Sequence, residues 1–317
     1  MDRLVCVGSY TPDTGGRGAG ITTFRWRGGV LEPLGGCSLA SPSYLCWHPR
    51  LPVLCAASER ADGMITALRA GPAGSLSVSS RLPSGGAFPC HLALTQDGRQ
   101  LLCANYGGSL AAIALQDDGE LAGVRAVVSR PGSLVHMAAA SDDLVRAVDL
   151  GRDEICSYRL GTDGQLSLAG RCGLPEGTGP RHLATHGERG FLVGEVDSTV
   201  TVLALDPLPR VLASYPATAE PPVRPNCPAH IAWYGRRLYV SNRSADCLTV
   251  FTVAGDGTLG AARDIPLGAA WPRHFAMLGC RIIVAAERSD ELAVLDLTGG
   301  ATRRYPVGSP ACVVLTR

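Results

Sequence analysis

The chain contains no lysine, because all 29 of its basic residues are arginine. This absence excludes Schiff-base catalysis and means that any anionic ligand must be bound by guanidinium groups, which grip carboxylates and phosphates bidentately. Aromatic residues make up only 5% of the sequence, and the formal net charge is +1. A chain so close to neutrality lacks the basic surface that nucleic acids and anionic membranes attract, so neither is an expected partner.

Several common motifs are also missing. The twelve cysteines form no CxxC pair, and the sequence has no HExxH, G-x-S-x-G or P-loop motif. Most cysteines lie inside apolar runs, which is typical of buried thiols in a reducing compartment. The N-terminus reads as a strand rather than a signal peptide, and no apolar run is long enough to span a membrane. We therefore expect a cytoplasmic protein with no metal and no organic cofactor.

Glycine and proline are abundant instead, with 39 and 22 residues spread along the whole chain. Two sequence markers recur along the chain with a period of about 45 residues, which indicates a repeat protein. The first marker lies two residues after a recurring proline or its counterpart: Tyr44, His91, His136, His182, His230, His274 and Cys312. The second is the polar residue that closes the following strand: Glu59, Asn105, Asp149, Glu195, Asn242 and Glu287.

Each repeat has the pattern of four short strands joined by tight turns, with Asp-Gly turns at 97–98 and 118–119. Four strands per repeat predict an all-β, seven-bladed β-propeller that occupies residues 1–317 as a single domain. The first blade has no initial strand at the N-terminus, and residues 311–315 supply one from the C-terminus. This arrangement closes the ring and removes the open sheet edge. The longest predicted loop, at 217–228, is rich in proline.

One hairpin combines opposite charges. Arg181 lies at the start of its first strand and Glu195 at the end of its second, so antiparallel pairing brings them to the same edge. The residue just before the first marker is charged in only two blades, as Arg181 and Arg273. In the other five blades it is Ser43, Cys90, Val135, Ala229 or Ala311. Arg181 and Arg273 thus depart from the repeat, which favours a chemical role for both.

An ordered set of short segments resembles a known family, the seven-bladed propeller lactonases, which include 6-phosphogluconolactonases and carboxymuconate-lactonising enzymes. The segments are Val-Gly-Ser-Tyr-Thr at 7–11, Pro-Ser-Tyr-Leu at 42–45, Ala-Asn-Tyr-Gly-Gly at 104–108, Val-Asp-Leu-Gly-Arg-Asp at 148–153, Gly-Pro-Arg-His at 179–182, Gly-Glu-Val at 194–196, Val-Ser-Asn-Arg at 240–243 and Pro-Arg-His-Phe at 272–275. Blade four departs from the family pattern, because Leu134 replaces the first histidine of a His-x-His segment.

The resemblance implies a lactonase acting on an acidic sugar lactone, with 6-phosphogluconolactone as the foremost substrate. It places the catalytic residues at His136, Arg181, Glu195 and Arg243. Either Glu195 or His136 would be the general base, and the two arginines would stabilise the oxyanion. Further substrate contacts are predicted at Arg273, His182, Asp149, Asn105 and Tyr106. Two alternatives remain open: a lactone-forming or cycloisomerising enzyme acting on an unsaturated acid, and a non-catalytic binding platform.

Overall fold

The computed structural model describes residues 2–141 and 144–316. These residues form 28 strands in seven four-stranded antiparallel sheets, together with four short 3-10 turns. The sheets are the blades of a β-propeller, as the repeat predicts. No helix among the described residues is long and apolar enough to cross a membrane.

The strands follow one another blade by blade along the chain. Blades one to three contain β1 (Arg3–Ser9), β2 (Ile21–Arg27), β3 (Val30–Cys37), β4 (Pro42–Trp47), β5 (Val53–Ser58), β6 (Met64–Ala70), β7 (Leu76–Pro83), β8 (Pro89–Leu94), β9 (Gln100–Asn105), β10 (Ser109–Leu115) and β11 (Leu121–Ser129). Blades four and five contain β12 (Val135–Ser141), β13 (Leu144–Asp149), β14 (Glu154–Leu160), β15 (Leu166–Gly173), β16 (Pro180–His186), β17 (Arg189–Gly194), β18 (Thr199–Ala204) and β19 (Arg210–Pro216).

Blades six and seven contain β20 (Pro228–Tyr234), β21 (Arg237–Asn242), β22 (Cys247–Val253), β23 (Leu259–Pro266), β24 (Pro272–Leu278), β25 (Arg281–Ala286), β26 (Glu291–Asp296) and β27 (Arg303–Pro306). The last strand, β28 (Pro310–Leu315), pairs antiparallel with β1 and gives blade one the order β28-β1-β2-β3. The predicted closure of the ring is therefore confirmed. The 3-10 turns are Pro12–Thr14, Pro72–Gly74, Leu150–Arg152 and Glu287–Ser289.

The core lies between the blades. Each pair of neighbouring blades encloses one cluster of buried aliphatic and small residues, and this holds around the whole ring of described strands. Most cysteines belong to this packing as buried free thiols, as predicted. The outermost strands are more exposed than the inner ones, and in β11 exposed residues mostly alternate with half-buried ones.

A β-bulge interrupts the innermost strand of every blade at the same point, directly after the leading proline or its counterpart. A bulge inserts one extra residue and redirects its side chain away from the regular alternation. The bulged residues are Ser43, Cys90, His136, Arg181, Ala229, Arg273 and Ala311.

This register corrects the first sequence marker in blade four. There Val135 pairs with Asp149 and Met137 with Val148, as Pro42 and Tyr44 do with their partners in blade two. His136 therefore occupies the position of Arg181 and Arg273, and Met137 occupies the position of His182. The marker was displaced by one residue because blade four has valine in place of the proline, while a histidine happens to follow.

The second marker is also corrected, in blades three, four and six. In every blade the residue that follows the second strand donates its backbone N–H to the residue just before the first strand. These equivalent residues are Tyr10, Glu59, Tyr106, Leu150, Glu195, Arg243 and Glu287. Asn105, Asp149 and Asn242 lie one position earlier, and successive residues of a strand face opposite sides.

Imidazole rings fill the channel beneath the bulges. His182 contacts His91, His136 and His230 with ring centroids 5.2–5.4 Å apart, and His230 stacks on His274 at 3.9 Å. Burial lowers the pKa of each of these histidines, to about 3 for His91 and His274. A charged imidazole would lose its hydration here, so the rings are neutral.

These histidines should make the protein sensitive to acid. The unfolded chain binds protons near pH 6.5 and the folded one does not, so the free energy of unfolding falls as the pH drops below about 6.5. For His91 the contribution between pH 7 and pH 5 is about 2 kcal/mol. His91→Phe should remove that part of the loss, and Tyr44 shows that an aromatic ring fits the equivalent position.

Urea unfolding at pH 7 and pH 5 measures this difference. The exposed His186, whose ring stacks on Trp233, offers a matched control through His186→Phe, which should leave the loss unchanged. Equal losses of unfolding free energy in wild type and His91→Phe would show that His91 takes up its proton over the same pH range in the folded and unfolded states.

Candidate active site

Two arginines share one carboxylate oxygen at the mouth of the channel. Arg181 Nε lies 2.9 Å and Arg243 Nη2 lies 2.8 Å from Oε2 of Glu195. The arginine side chains are 3% and 7% exposed, whereas that of Glu195 is 26% exposed, so the carboxylate is the part that solvent and ligands reach. The predicted approach of Arg181 and Glu195 within one hairpin is confirmed, and the next blade adds Arg243.

Backbone carbonyl groups fix both guanidinium groups in place. Arg181 Nη1 donates to the carbonyl of Ala229, and Arg243 Nε donates to that of Cys227 at 3.1 Å. The guanidinium of Arg243 also lies 5.3 Å from the ring centroid of Trp271, within range of a cation–π contact. The planar guanidinium thus binds the carboxylate and a carbonyl together, which a single ammonium group could not match geometrically.

The electrostatics of this group are uneven, since two cations face one anion. Burial, reinforced by Arg243, lowers the pKa of Arg181 to about 10. Burial tends to raise the pKa of Glu195, but Arg181 and Arg243 outweigh it and the pKa is lowered. Glu195 is therefore ionised at neutral pH, and the group carries one surplus positive charge that suits an anionic ligand or a developing oxyanion.

His136 lies at the bulge of the neighbouring blade. Burial, followed by the charges of Arg181, Arg273 and Arg243, holds its pKa well below the usual range. Its Nδ1 is buried and has no hydrogen-bond partner among the described residues. The edge of its ring faces Tyr106 with centroids 5.8 Å apart. His136 is thus a neutral imidazole with a free nitrogen, in the form that can accept a proton.

Arg273 repeats this device in blade seven. Its Nη1 lies 3.5 Å from Oε2 of Glu287, and its Nη2 donates to Tyr10 Oη at 2.6 Å. Tyr10 in turn donates to Glu59 Oε2 at 2.7 Å. Arg273 and Arg181 occupy equivalent bulge positions, which places both clusters at the same end of the innermost strands.

Three predicted substrate contacts have other partners in the structure. Asn105 is buried and donates to Ser109 Oγ at 3.1 Å, and Asp149 accepts from the backbone N–H of Leu134 at 2.9 Å. His182 is one of the imidazole rings that fill the channel, and its Nδ1 lies 3.0 Å from Nδ1 of His230. These side chains lie in the scaffold, and their predicted contact with substrate stays untested.

Two further acidic residues and one aromatic residue at the mouth, Glu59, Glu287 and Tyr10, were not among the predicted site residues. The signal that identifies them is their equivalence to Glu195 and Tyr106 in the repeat. The second marker already grouped Glu59 and Glu287 with Glu195, but its displacement to Asn105 in blade three concealed the equivalence of Tyr10 and Tyr106. Aligning the blades on the residue after the second strand would have revealed it from the sequence.

Asn105→Ala should test the scaffold position of that residue. Loss of its buried hydrogen bonds should lower the free energy of unfolding by about 1–3 kcal/mol. The folded fraction should keep its turnover rate within about threefold, since the side chain faces away from the mouth. Chemical unfolding combined with activity per folded molecule measures both effects. A large rise in KM with unchanged stability would place Asn105 in the binding site instead.

The described strands form a closed seven-bladed propeller, with paired arginine and glutamate side chains where its innermost strands begin. Residues 4–315 match the family described as "Lactonase, 7-bladed beta-propeller". The chain belongs to this lactonase family, and the sequence-based predictions of family, fold and enzyme class are confirmed.

Individual relatives agree with this assignment. The chain is 27% identical over 294 residues to the 6-phosphogluconolactonase of Bacillus subtilis, covering 84% of this chain and 82% of that protein. It is 32% identical over 198 residues to the 6-phosphogluconolactonase of Cronobacter sakazakii, an alignment covering 59% of each protein. Among solved structures, the periplasmic gluconolactonase PpgL of Pseudomonas aeruginosa superposes with a TM-score of 0.90 at 27% identity, covering 100% of this chain and 99% of that one.

Proposed function

We propose that this protein hydrolyses 6-phosphogluconolactone or a closely related acidic sugar lactone. The observation that carries the proposal is the pairing of Arg181 and Arg243 on Glu195, next to the neutral imidazole of His136. The relatives, which are 6-phosphogluconolactonases and a gluconolactonase, support the same substrate class.

The chemistry follows from the charges at the mouth. A water molecule attacks the lactone carbonyl carbon while His136 accepts its proton, and the carbonyl oxygen becomes an oxyanion. Arg181 and Arg243 stabilise that negative charge in a poorly solvated site, where such donors are most effective. Collapse of the tetrahedral intermediate breaks the bond to the ring oxygen, which takes the proton back from His136 and leaves a hydroxy acid.

Glu195 serves better as a positioning group than as the base. One oxygen of its carboxylate lies 2.9 Å from Arg181 Nε and 2.8 Å from Arg243 Nη2, so its charge is already engaged by two guanidinium groups. It holds both arginines at a fixed separation and limits their mutual repulsion. Removing it would leave two buried cations side by side, which costs about 3–5 kcal/mol of stability.

Variants of these residues test the assignment. Arg181→Ala should lower kcat for 6-phosphogluconolactone about 100- to 1000-fold, because one oxyanion donor is lost. His136→Gln should lower kcat about 100-fold or more, because no proton acceptor remains. Glu195→Gln should lower kcat and the melting temperature together. Hydrolysis is followed by the acid released, after subtraction of the spontaneous rate.

Arg25→Ala is a suitable control. That arginine lies on the outer part of blade one, and its ion-pair partner Glu32 is 3.9 Å away. Unchanged rates in Arg181→Ala and His136→Gln would reject this site. A wild-type protein that turns over no lactone would favour the binding-platform alternative.

Arg288 provides a way to test whether the substrate is phosphorylated. Its guanidinium lies 3.3 Å from the ring centroid of Trp271 and lines a cavity of about 530 Å³ together with Arg273 and Tyr10. Within residues 2–141 and 144–316 it has no ion-pair partner, so its charge is available to a phosphate. Arg17 lines the same cavity but is paired with Asp290 at 2.5 Å.

Wild type should therefore prefer 6-phosphogluconolactone to gluconolactone in kcat/KM. Arg288→Ala should reduce that preference about tenfold or more, as expected for one charge-assisted hydrogen bond. Arg17→Ala should leave it nearly unchanged. Equal use of both lactones by wild type would show that the phosphate is not recognised and that an unphosphorylated lactone is the substrate.

A further inference from the structure

The cavity in front of Arg273 contains a second built polar cluster, separate from the three residues that surround the reacting carbonyl. Tyr10, Glu59, Arg273 and Glu287 all line it. The side chains of Glu59, Arg273 and Glu287 are only 16–21% exposed. Ionised groups held this far from water are costly, and the seven blade interfaces that stabilise the ring are apolar and do not need them.

The cluster repeats part of the arrangement around Glu195. Arg273 occupies the bulge position of Arg181, and Glu287 and Glu59 occupy the position of Glu195. The guanidinium contacts are longer here: Arg273 Nη1 donates to Glu287 Oε2 at 3.5 Å and Arg273 Nη2 lies 4.0 Å from Glu59 Oε2, whereas Arg181 and Arg243 lie within 2.9 Å of Glu195. The carboxylate oxygens of Glu59 and Glu287 therefore keep accepting capacity toward the cavity, while Tyr10 and Arg273 complete a network of donors.

A neighbouring turn fixes the opposite wall of the cavity. Gly15 and Gly16 follow the 3-10 turn Pro12–Thr14 and line the cavity. Ser41 secures this turn through hydrogen bonds to the backbone N–H of Thr11 at 3.1 Å and to Thr14 Oγ1 at 2.6 Å. A Cβ added at Gly16 would lie 2.3 Å from the carbonyl oxygen of Tyr10, so this backbone approach requires glycine. The wall is thus built in advance of any ligand.

We infer that this cavity binds the hydroxyl groups of the substrate, with Glu59 and Glu287 as the acceptors that select a polyhydroxylated lactone. The inference rests on the proposed function and adds to it the residues that distinguish a sugar lactone from a plain one. The two carboxylates of the cluster face the guanidinium groups of Arg273 and Arg288, which line the same cavity, so the charges balance and both donors and acceptors face the space. That balance suits vicinal hydroxyls, each of which donates one hydrogen bond and accepts others.

Two lactones with the same six-membered ring distinguish recognition of the hydroxyl groups from a general effect on turnover. D-Glucono-1,5-lactone carries the hydroxyls, and δ-valerolactone lacks them. Wild type should favour the hydroxylated lactone in kcat/KM. Glu59→Ala and Glu287→Ala should each reduce that preference about 10- to 100-fold, through KM for gluconolactone, since a hydrogen bond to a charged group is lost. Glu287→Gln, which keeps one acceptor oxygen, should restore part of it.

Turnover of δ-valerolactone by the variants confirms that they are folded. Glu291→Ala is the matched control, because Glu291 lies in the same blade, pairs with Arg304 and does not line the cavity. It should leave the preference unchanged. If Glu59→Ala and Glu287→Ala lowered kcat/KM equally for both lactones, the two residues would belong to the scaffold and the inference would be overturned. An unchanged preference for gluconolactone in these two variants would also overturn it.

A binding measurement separates failure of this inference from failure of the proposed function. The probe is 1,5-anhydro-D-glucitol, which has the hydroxylated ring without the carbonyl group, observed by saturation-transfer NMR. Binding that is lost in Glu287→Ala would support the hydroxyl subsite even if wild type hydrolysed neither lactone. An absence of binding to wild type would overturn the subsite, whatever the catalytic result.

Discussion

The β-bulge at the start of each innermost strand is the constraint on which the site depends. A regular strand would alternate its side chains between the two faces of the blade, and both faces here pack against neighbouring blades. The extra residue breaks that alternation and turns one side chain per blade toward the channel mouth. His136, Arg181 and Arg273 all occupy this position. The proposed chemistry of the protein is thus located at a repeated irregularity in an otherwise regular fold.

The repeated scaffold allows one device to be used twice. In blade five an arginine at the bulge meets a glutamate after the second strand at 2.9 Å, and in blade seven the corresponding pair is 3.5 Å apart. Their surroundings differ. Arg243 joins the first pair and leaves one surplus positive charge, whereas Glu59 and Tyr10 join the second and leave one surplus negative charge. The proposed oxyanion site is thus rich in donors, and the proposed site for hydroxyl groups is rich in acceptors.

The histidine layer beneath the mouth has a complementary effect. Its rings are neutral because burial and the nearby arginines oppose protonation. A neutral layer separates the charged mouth from the rest of the channel without adding a further positive charge beneath three arginines. The absence of lysine is consistent with this arrangement. Each arginine of the site contacts a carboxylate or hydroxyl group and is also held in a fixed position, and a planar guanidinium suits both tasks.

Residue spacing was enough to predict the number of blades, the four-stranded pattern, the closure by the C-terminal strand and the pairing of Arg181 with Glu195. All of these follow from a period and from antiparallel geometry, which residue spacing records directly. Which residues are equivalent could be read only from the folded chain. The bulge in blade four follows a valine instead of a proline, so His136 was grouped with the channel histidines. Asn105 and Asp149 were grouped with Glu195 because they are polar residues at the ends of their strands, one position before the equivalent residues Tyr106 and Leu150. The tertiary structure also decided that Arg243 and Tyr10 approach their partners, because those contacts join side chains from different blades and depend on how the ring closes.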